Sequence, residues 1–139
     1  MIEDKDWKIL EVLRENSRLP IRDIAKKTGL RPSTVHDRIS KLKEEKVIEK
    51  FTVKLNNKAV NENFIVFMFV TTTKDLEPSF FNDVHIKEVF GVTGEYDLIL
   101  KLKFGDIEEF NKFIIDLRKN KSIVKTTTMV ATINIKEEV

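Results

Sequence analysis

Few residues of this chain have the types and spacing that covalent chemistry demands. His36 and His85 are its only histidines and fall in stretches of contrasting pattern, so neither a His-rich metal cluster nor a His-centred triad can be assembled. Gly91, Gly94 and Gly105 are spaced wrongly for a loop that cradles phosphate and lie at predicted strand ends. Glu95 and Asp97 are the nearest carboxylate pair, but they flank a predicted hairpin turn, where such groups are solvated more often than catalytic. Cysteine is absent, which removes disulfides and thiolate metal sites. The expectation is a protein with no catalytic residues, no metal and no cofactor. What remains is the chemistry of recognition, concentrated in Arg31, Ser33, Thr34, His36, Asp37, Arg38 and Lys41.

A helix must position that set. Residues 4 to 16 place Ile9, Leu10 and Leu13 on one stripe, with Asp4 and Asp6 at the positive end of the helix dipole. Pro20 opens a second short helix holding Ile21, Ile24 and Ala25, and Gly29 suits the left-handed position that ends it. Pro32 fits the first turn of a third helix, in which Val35, Ile39 and Leu42 recur at i, i+4 and i+7. Two helices joined by a tight glycine turn form a helix-turn-helix. With that stripe inward, Ser33, Asp37 and Ser40 point outward, Thr34 and Lys41 lie on one flank, His36 on the other, and Arg38 beside the core stripe. Ser and Thr can read several bases, Asp can accept from cytosine, and Arg prefers guanine. Duplex DNA is the expected partner, with flanking basic residues on phosphates.

Charge supports an anionic partner at one end only. Of the 25 Lys+Arg and 23 Asp+Glu, residues 1 to 55 hold 14 against 10 and residues 56 to 139 hold 11 against 13. No run approaches the roughly 18 uncharged apolar residues of a membrane span. The start "MIEDKDWKIL" lacks the regions of a signal peptide, so a cytoplasmic protein without a membrane partner is expected. A charged fraction of 35%, no glutamine and four glycines resemble thermophile composition.

After residue 50 the pattern changes. "VIEKFTVKL" (47 to 55) alternates and reads as a strand, and 51 to 63 as strand and linker. From 64 to 139 the expected order is β-α-β-β-α-β, a ferredoxin-like sandwich. Its parts are strands at 64 to 73, 86 to 93, 96 to 104 and 122 to 135, a short helix carrying Leu76, Phe80 and Val84, and a capped helix after Asp106. Gly94-Glu95 reads as a two-residue hairpin loop. An RNA-reading sheet is not expected, because "YDLILKLKF" alternates Asp97, Ile99, Lys101 and Lys103 on one face instead of aromatics. Both helices should cover one sheet face, yet the first strand is apolar on both, with Ile65, Phe67 and Phe69 on the second. A second copy is the expected cover, giving a homodimer with these three residues at its interface.

The run "DWKILEVLRENSRLPIRDIAKKTGLRPSTVHDRISKLKEEKVIEKF" resembles the N-terminal domain of the leucine-responsive (Lrp/AsnC, feast/famine) transcriptional regulators, through Asp6, Ile9-Leu10, Leu13, Arg18, Ile24-Ala25, Gly29-Leu30, Ser33-Thr34-Val35, Arg38-Ile39, Leu42 and Val47-Ile48. The second half resembles that family's ligand-sensing domain, through "VTGEYD" (92 to 97) and Thr126 with Thr128. The resemblance implies α+β architecture: a winged helix-turn-helix at 1 to 50 and a ferredoxin-like effector and assembly domain at 64 to 139. It also implies dimers assembling into larger rings, commonly octamers, and a small amino-acid-type effector held by Thr93, Gly94, Glu95, Tyr96, Asp97, Thr126 and Thr128. The alternative is an architectural DNA-binding protein that only oligomerises. Two positions depart from the family: Arg31 where a capping serine is usual, and Lys46 where glycine is usual.

Overall fold

Acidic residues open the first helix, α1 (Asp4–Glu15), where the backbone N–H of Glu3 donates to the Asp6 carboxylate at 2.8 Å. In the computed structural model, which describes residues 1–139, α1 packs with α2 (Ile21–Thr28) and α3 (Pro32–Glu44) around a core of Ile9, Leu13, Ile24, Ala25 and Val35. Gly29 ends α2 at φ 74°, a left-handed backbone that only glycine adopts freely, and its N–H reaches the Ala25 carbonyl at 2.9 Å. Leu30 then turns back onto the same core, and Pro32 sits at the start of α3 as its fixed φ favours. The helix therefore begins at Pro32, with Arg31 in the cap position and no side-chain cap bond.

Lys46 closes α3 in an unexpected conformation. Its φ is 60°, and the N–H groups of Val47 and Ile48 both reach the Leu42 carbonyl, at 2.9 and 3.1 Å. That closure wants glycine at the left-handed position, and lysine holds it here at some strain.

The segment 47 to 55 is not a strand, contrary to the alternation in its sequence. Alternation gives a strand only where backbone groups find a ladder partner. None of these residues pairs, and Phe51, Val53 and Leu55 stay exposed. The chain divides into two compact units here, Met1–Lys54 and Leu55–Glu138.

The second unit is a four-stranded antiparallel sheet in the order β2-β3-β1-β4, from β1 (Phe64–Thr72), β2 (Ile86–Gly91), β3 (Leu98–Phe104) and β4 (Ile123–Val130). One face carries Val66, Met68, Val70, Leu100, Leu102 and Phe104, packed with Phe113 and Leu117 of α4 (Ile107–Arg118). Each such side chain, fully buried, is worth about 1.5–3 kcal/mol. Asp106 caps α4 by accepting from the Glu109 N–H at 2.9 Å. The element order and strand order are those of a ferredoxin-like α+β sandwich. Its first helix is reduced to one 3-10 turn, Pro78–Asn82, and Val84 is exposed instead of buried. Pro78 opens that turn, so the residues before it, from Asp75, stay outside the helix.

Two further expectations change. The last strand stops at Val130; the Ala131 N–H still donates to the Ile65 carbonyl at 2.9 Å, and the chain leaves the ladder beyond it. The turn near Gly94 has four residues, Thr93 to Tyr96, because the Val92 N–H bonds to the Asp97 carbonyl at 2.9 Å while the Asp97 N–H is drawn to the Val70 carbonyl at 2.9 Å. Gly94 keeps the positive φ, 112°, that a glycine permits.

Candidate nucleic-acid interface and ligand cleft

The outward side of α3 is built by what lies inside it. Val35 and Leu42 are buried, and Ile39 is half-buried. Ser33, His36, Asp37, Ser40 and Lys41 are exposed, Thr34 is half-buried on the flank, and Arg31 is exposed at the helix start. Lys41 has only a loose neighbour, Glu45, at 3.8 Å. The imidazole Nδ1 of His36 lies 3.2 Å from an Asp37 carboxylate oxygen. These groups form one accessible polar face with cations at its margins.

Arg38 does not belong to that face. Its guanidinium turns inward and grips Asp6 with two bonds, Nε to Oδ1 at 2.7 Å and Nη2 to Oδ2 at 2.6 Å. Asp6 is fully buried and the Arg38 side chain is 12% exposed. The Arg38 bond, aided by the Glu3 N–H, holds the Asp6 carboxyl below its ordinary pKa against the opposing effect of burial. Arg38, expected among the DNA-contacting residues, here ties α3 to α1. Only the pairing of a short acid with a planar fork 32 positions away could have signalled this, and in sequence Asp6 passes for a simple helix-start acid.

In the second unit, the turn 93 to 96 borders an open cleft of about 600 Å³ lined by Phe69, Gly91, Val92, Thr93, Glu95 and Tyr96. Its polar groups are tightly placed. The Tyr96 hydroxyl bonds the Thr127 hydroxyl, and its ring meets Phe69 with centroids 5.4 Å apart. Lys125 Nζ donates to Glu95 at 2.7 Å and lies 5.4 Å from the Tyr96 ring centroid. The bond from Lys125 pulls the Glu95 carboxyl below its usual pKa, and the same bond raises that of Lys125. Both side chains are more than half exposed, so the pair adds little to stability.

Of the residues expected at this site, Thr93, Glu95 and Tyr96 line the cleft and Gly94 completes their turn. Asp97 lies outside that lining; its carboxylate accepts the Thr72 N–H at 2.8 Å and pins the turn to the end of β1. It lines a second cleft of about 380 Å³ with Thr72, Thr73 and Leu76. Thr126 and Thr128, expected beside Glu95 and Tyr96, do not share the first cleft's side of the sheet. They oppose Val70 and Met68, on the helix-covered side, whereas Thr127 opposes Phe69 on the cleft side. A one-residue offset in a strand exchanges its faces. Sequence reasoning did not single out Phe69, Thr127 and Lys125 beside this cleft, because only the strand register brings them together.

The sheet face away from α4 runs in two cross-strand rows, Phe90–Ile99–Phe69–Thr127 and Glu88–Lys101–Phe67–Met129. Phe67, Phe90 and Met129 are exposed on it and Phe69 is half-buried. Ile65, expected at a dimer interface, is already buried at 6% exposure within the single chain. Glu137 returns to this face, ion-paired with Lys101 and, at 3.0 Å, with Lys103. Burial opposes its charge, but bonds from Lys101, Asn57 and Lys103 prevail and hold its carboxyl at about 2. No helix is long and apolar enough to cross a membrane.

Comparison with known proteins fits both units. Residues 2–49 match the family described as winged helix-turn-helix DNA-binding, and residues 66–139 match the Lrp/AsnC ligand binding domain. The chain is 33% identical over 134 residues to the HTH-type transcriptional regulator FL11 of Pyrococcus furiosus, covering 94% of this chain and 89% of that one. Among solved structures, an AsnC family regulator from Agrobacterium tumefaciens superposes with a TM-score of 0.91 at 26% identity, over 99% of this chain and 94% of that one. A Neisseria meningitidis transcriptional regulator solved with L-methionine has a TM-score of 0.92 at 24% identity, over the same shares, which bears on the fold. This chain belongs to the Lrp/AsnC family of helix-turn-helix transcriptional regulators.

Proposed function

We propose that this regulator reads duplex DNA with the outward face of α3 and that an amino-acid-type ligand in the cleft beside Tyr96 changes how tightly it does so. The observation that carries the reading is the exposed polar line of α3. It offers groups suited to base edges, while Arg31 and Lys41 stand at its margins where phosphates would lie. Ligand binding is supported by the cleft itself. Phe69, Val92 and Tyr96 give it apolar walls, and Glu95 with Lys125 present one charge of each sign, as an ammonium and a carboxylate require. The complex of the Neisseria neighbour with L-methionine makes an amino acid the first ligand to try. A second copy covering Phe67, Phe90 and Met129 supplies the two-fold symmetry that paired half-sites need.

The test is selection of bound duplexes from a random pool, followed by affinity measurement against salt. The expected result is a two-fold motif whose binding weakens steeply as salt rises, because phosphate contacts release counterions. Phe67→Asp, which places a charge on the proposed dimer face, should sediment as a monomer and lose most of that affinity. Binding that ignores salt, or no duplex binding at all, would overturn the reading.

A further inference from the structure

The outward line of α3 carries no cation. Ser33, Asp37, Ser40 and Glu44 occupy it, all exposed, and the nearby positive charges of Arg31, Lys41 and Lys43 lie at the end or to the sides. An acid at the centre of a face that must approach two rows of phosphates weakens binding to every sequence unless it finds a donor. Asp37 is held ready to do so. One of its oxygens is 3.2 Å from His36 Nδ1 and its side chain is 79% exposed, so the other oxygen is free to accept.

Donors in the major groove are few. Only the exocyclic amino groups of cytosine and adenine qualify, whereas guanine and thymine present acceptor oxygens and would repel a carboxylate. Adenine sets its N7 acceptor beside the amino group, against the second carboxylate oxygen. Cytosine sets no acceptor of its own there.

We infer that Asp37 fixes a cytosine at one position of each half-site, acting chiefly by rejecting the other bases. This rests on α3 being the DNA-reading helix. Specificity then comes from repulsion relieved at one base, while the marginal cations supply affinity. Removing the acid should have two opposite effects: looser discrimination and tighter general binding.

The experiment is duplex selection with wild type, Asp37→Ala and Asp37→Asn, all confirmed helical by circular dichroism. Wild type is expected to select a two-fold motif with cytosine at one position per half-site, preferred by roughly tenfold over the other bases. In Asp37→Ala that single position becomes unselective, the rest of the motif persists, and affinity for random duplex at low salt rises several-fold. In Asp37→Asn the preference moves toward adenine, whose N6 and N7 an amide pairs with in two bonds. A wild-type motif without such a cytosine, or cytosine retained in either variant, overturns the inference and leaves the regulator reading standing. Affinity raised in Asp37→Ala with an unaltered motif also overturns it, since the acid would then be a mere repulsive charge. If wild type selects no motif, both fall together.

Discussion

Arg38 and Asp6 show how a residue suited to DNA can be spent on the fold. The two bonds between them fill a buried site, so removing the arginine leaves a desolvated carboxylate without its partner, which is a severe loss. Arg38→Ala is therefore expected to lower the melting temperature of the N-terminal unit by roughly 10 °C or more, with motif preference unchanged in whatever folds. Differential scanning calorimetry and duplex selection check the two halves of that statement. The pH dependence has a definite sign. Because the folded Asp6 pKa lies below its ordinary value, the pair contributes fully above the ordinary aspartate range. That contribution is lost as pH falls through the lowered value, and Arg38→Ala should flatten this acid limb. Lys41, by contrast, lies exposed on α3 where its position in sequence put it. Position on a helical wheel was legible, but the partner across the core was not, since nothing local to Arg38 distinguishes a base contact from a buried fork.

At the scale of elements, helices were readable and pairings less so. The α3 stripe, the Gly29 turn and the Asp106 cap are local, and each follows from neighbouring residues. The unpaired segment 47 to 55 and the four-residue turn at 93 to 96 depend on partners outside their own stretch. The exchange of Thr126 and Thr128 for Thr127 has the same origin, because cross-strand register fixes which face a residue serves. Lys46 was visible in sequence as a departure from glycine, though its φ of 60° was not. Lys46→Gly should relieve that left-handed strain and stabilise the first unit by up to about 1 kcal/mol. Chemical denaturation with unchanged slope is the appropriate measurement; a loss of stability would show that the lysine side chain contributes more than its backbone costs.

For the whole molecule, division of labour follows from charge and surface. The first unit carries the positive excess and the accessible face of α3, whereas the second carries the cleft at Tyr96 and an apolar sheet face. A ligand can regulate DNA binding only if it binds one state of the assembly better than another, and the shift cannot exceed that difference in affinity. The most direct measurement is the affinity of wild-type protein for its selected duplex, titrated with each amino acid in turn. A cleft with apolar walls and one charge of each sign predicts that at least one apolar amino acid changes this affinity by about 5- to 150-fold, the usual span of such coupling, and that Glu95→Ala removes the effect without altering unliganded affinity. Duplex affinity that no amino acid changes, or an effect that survives Glu95→Ala undiminished, would contradict the account.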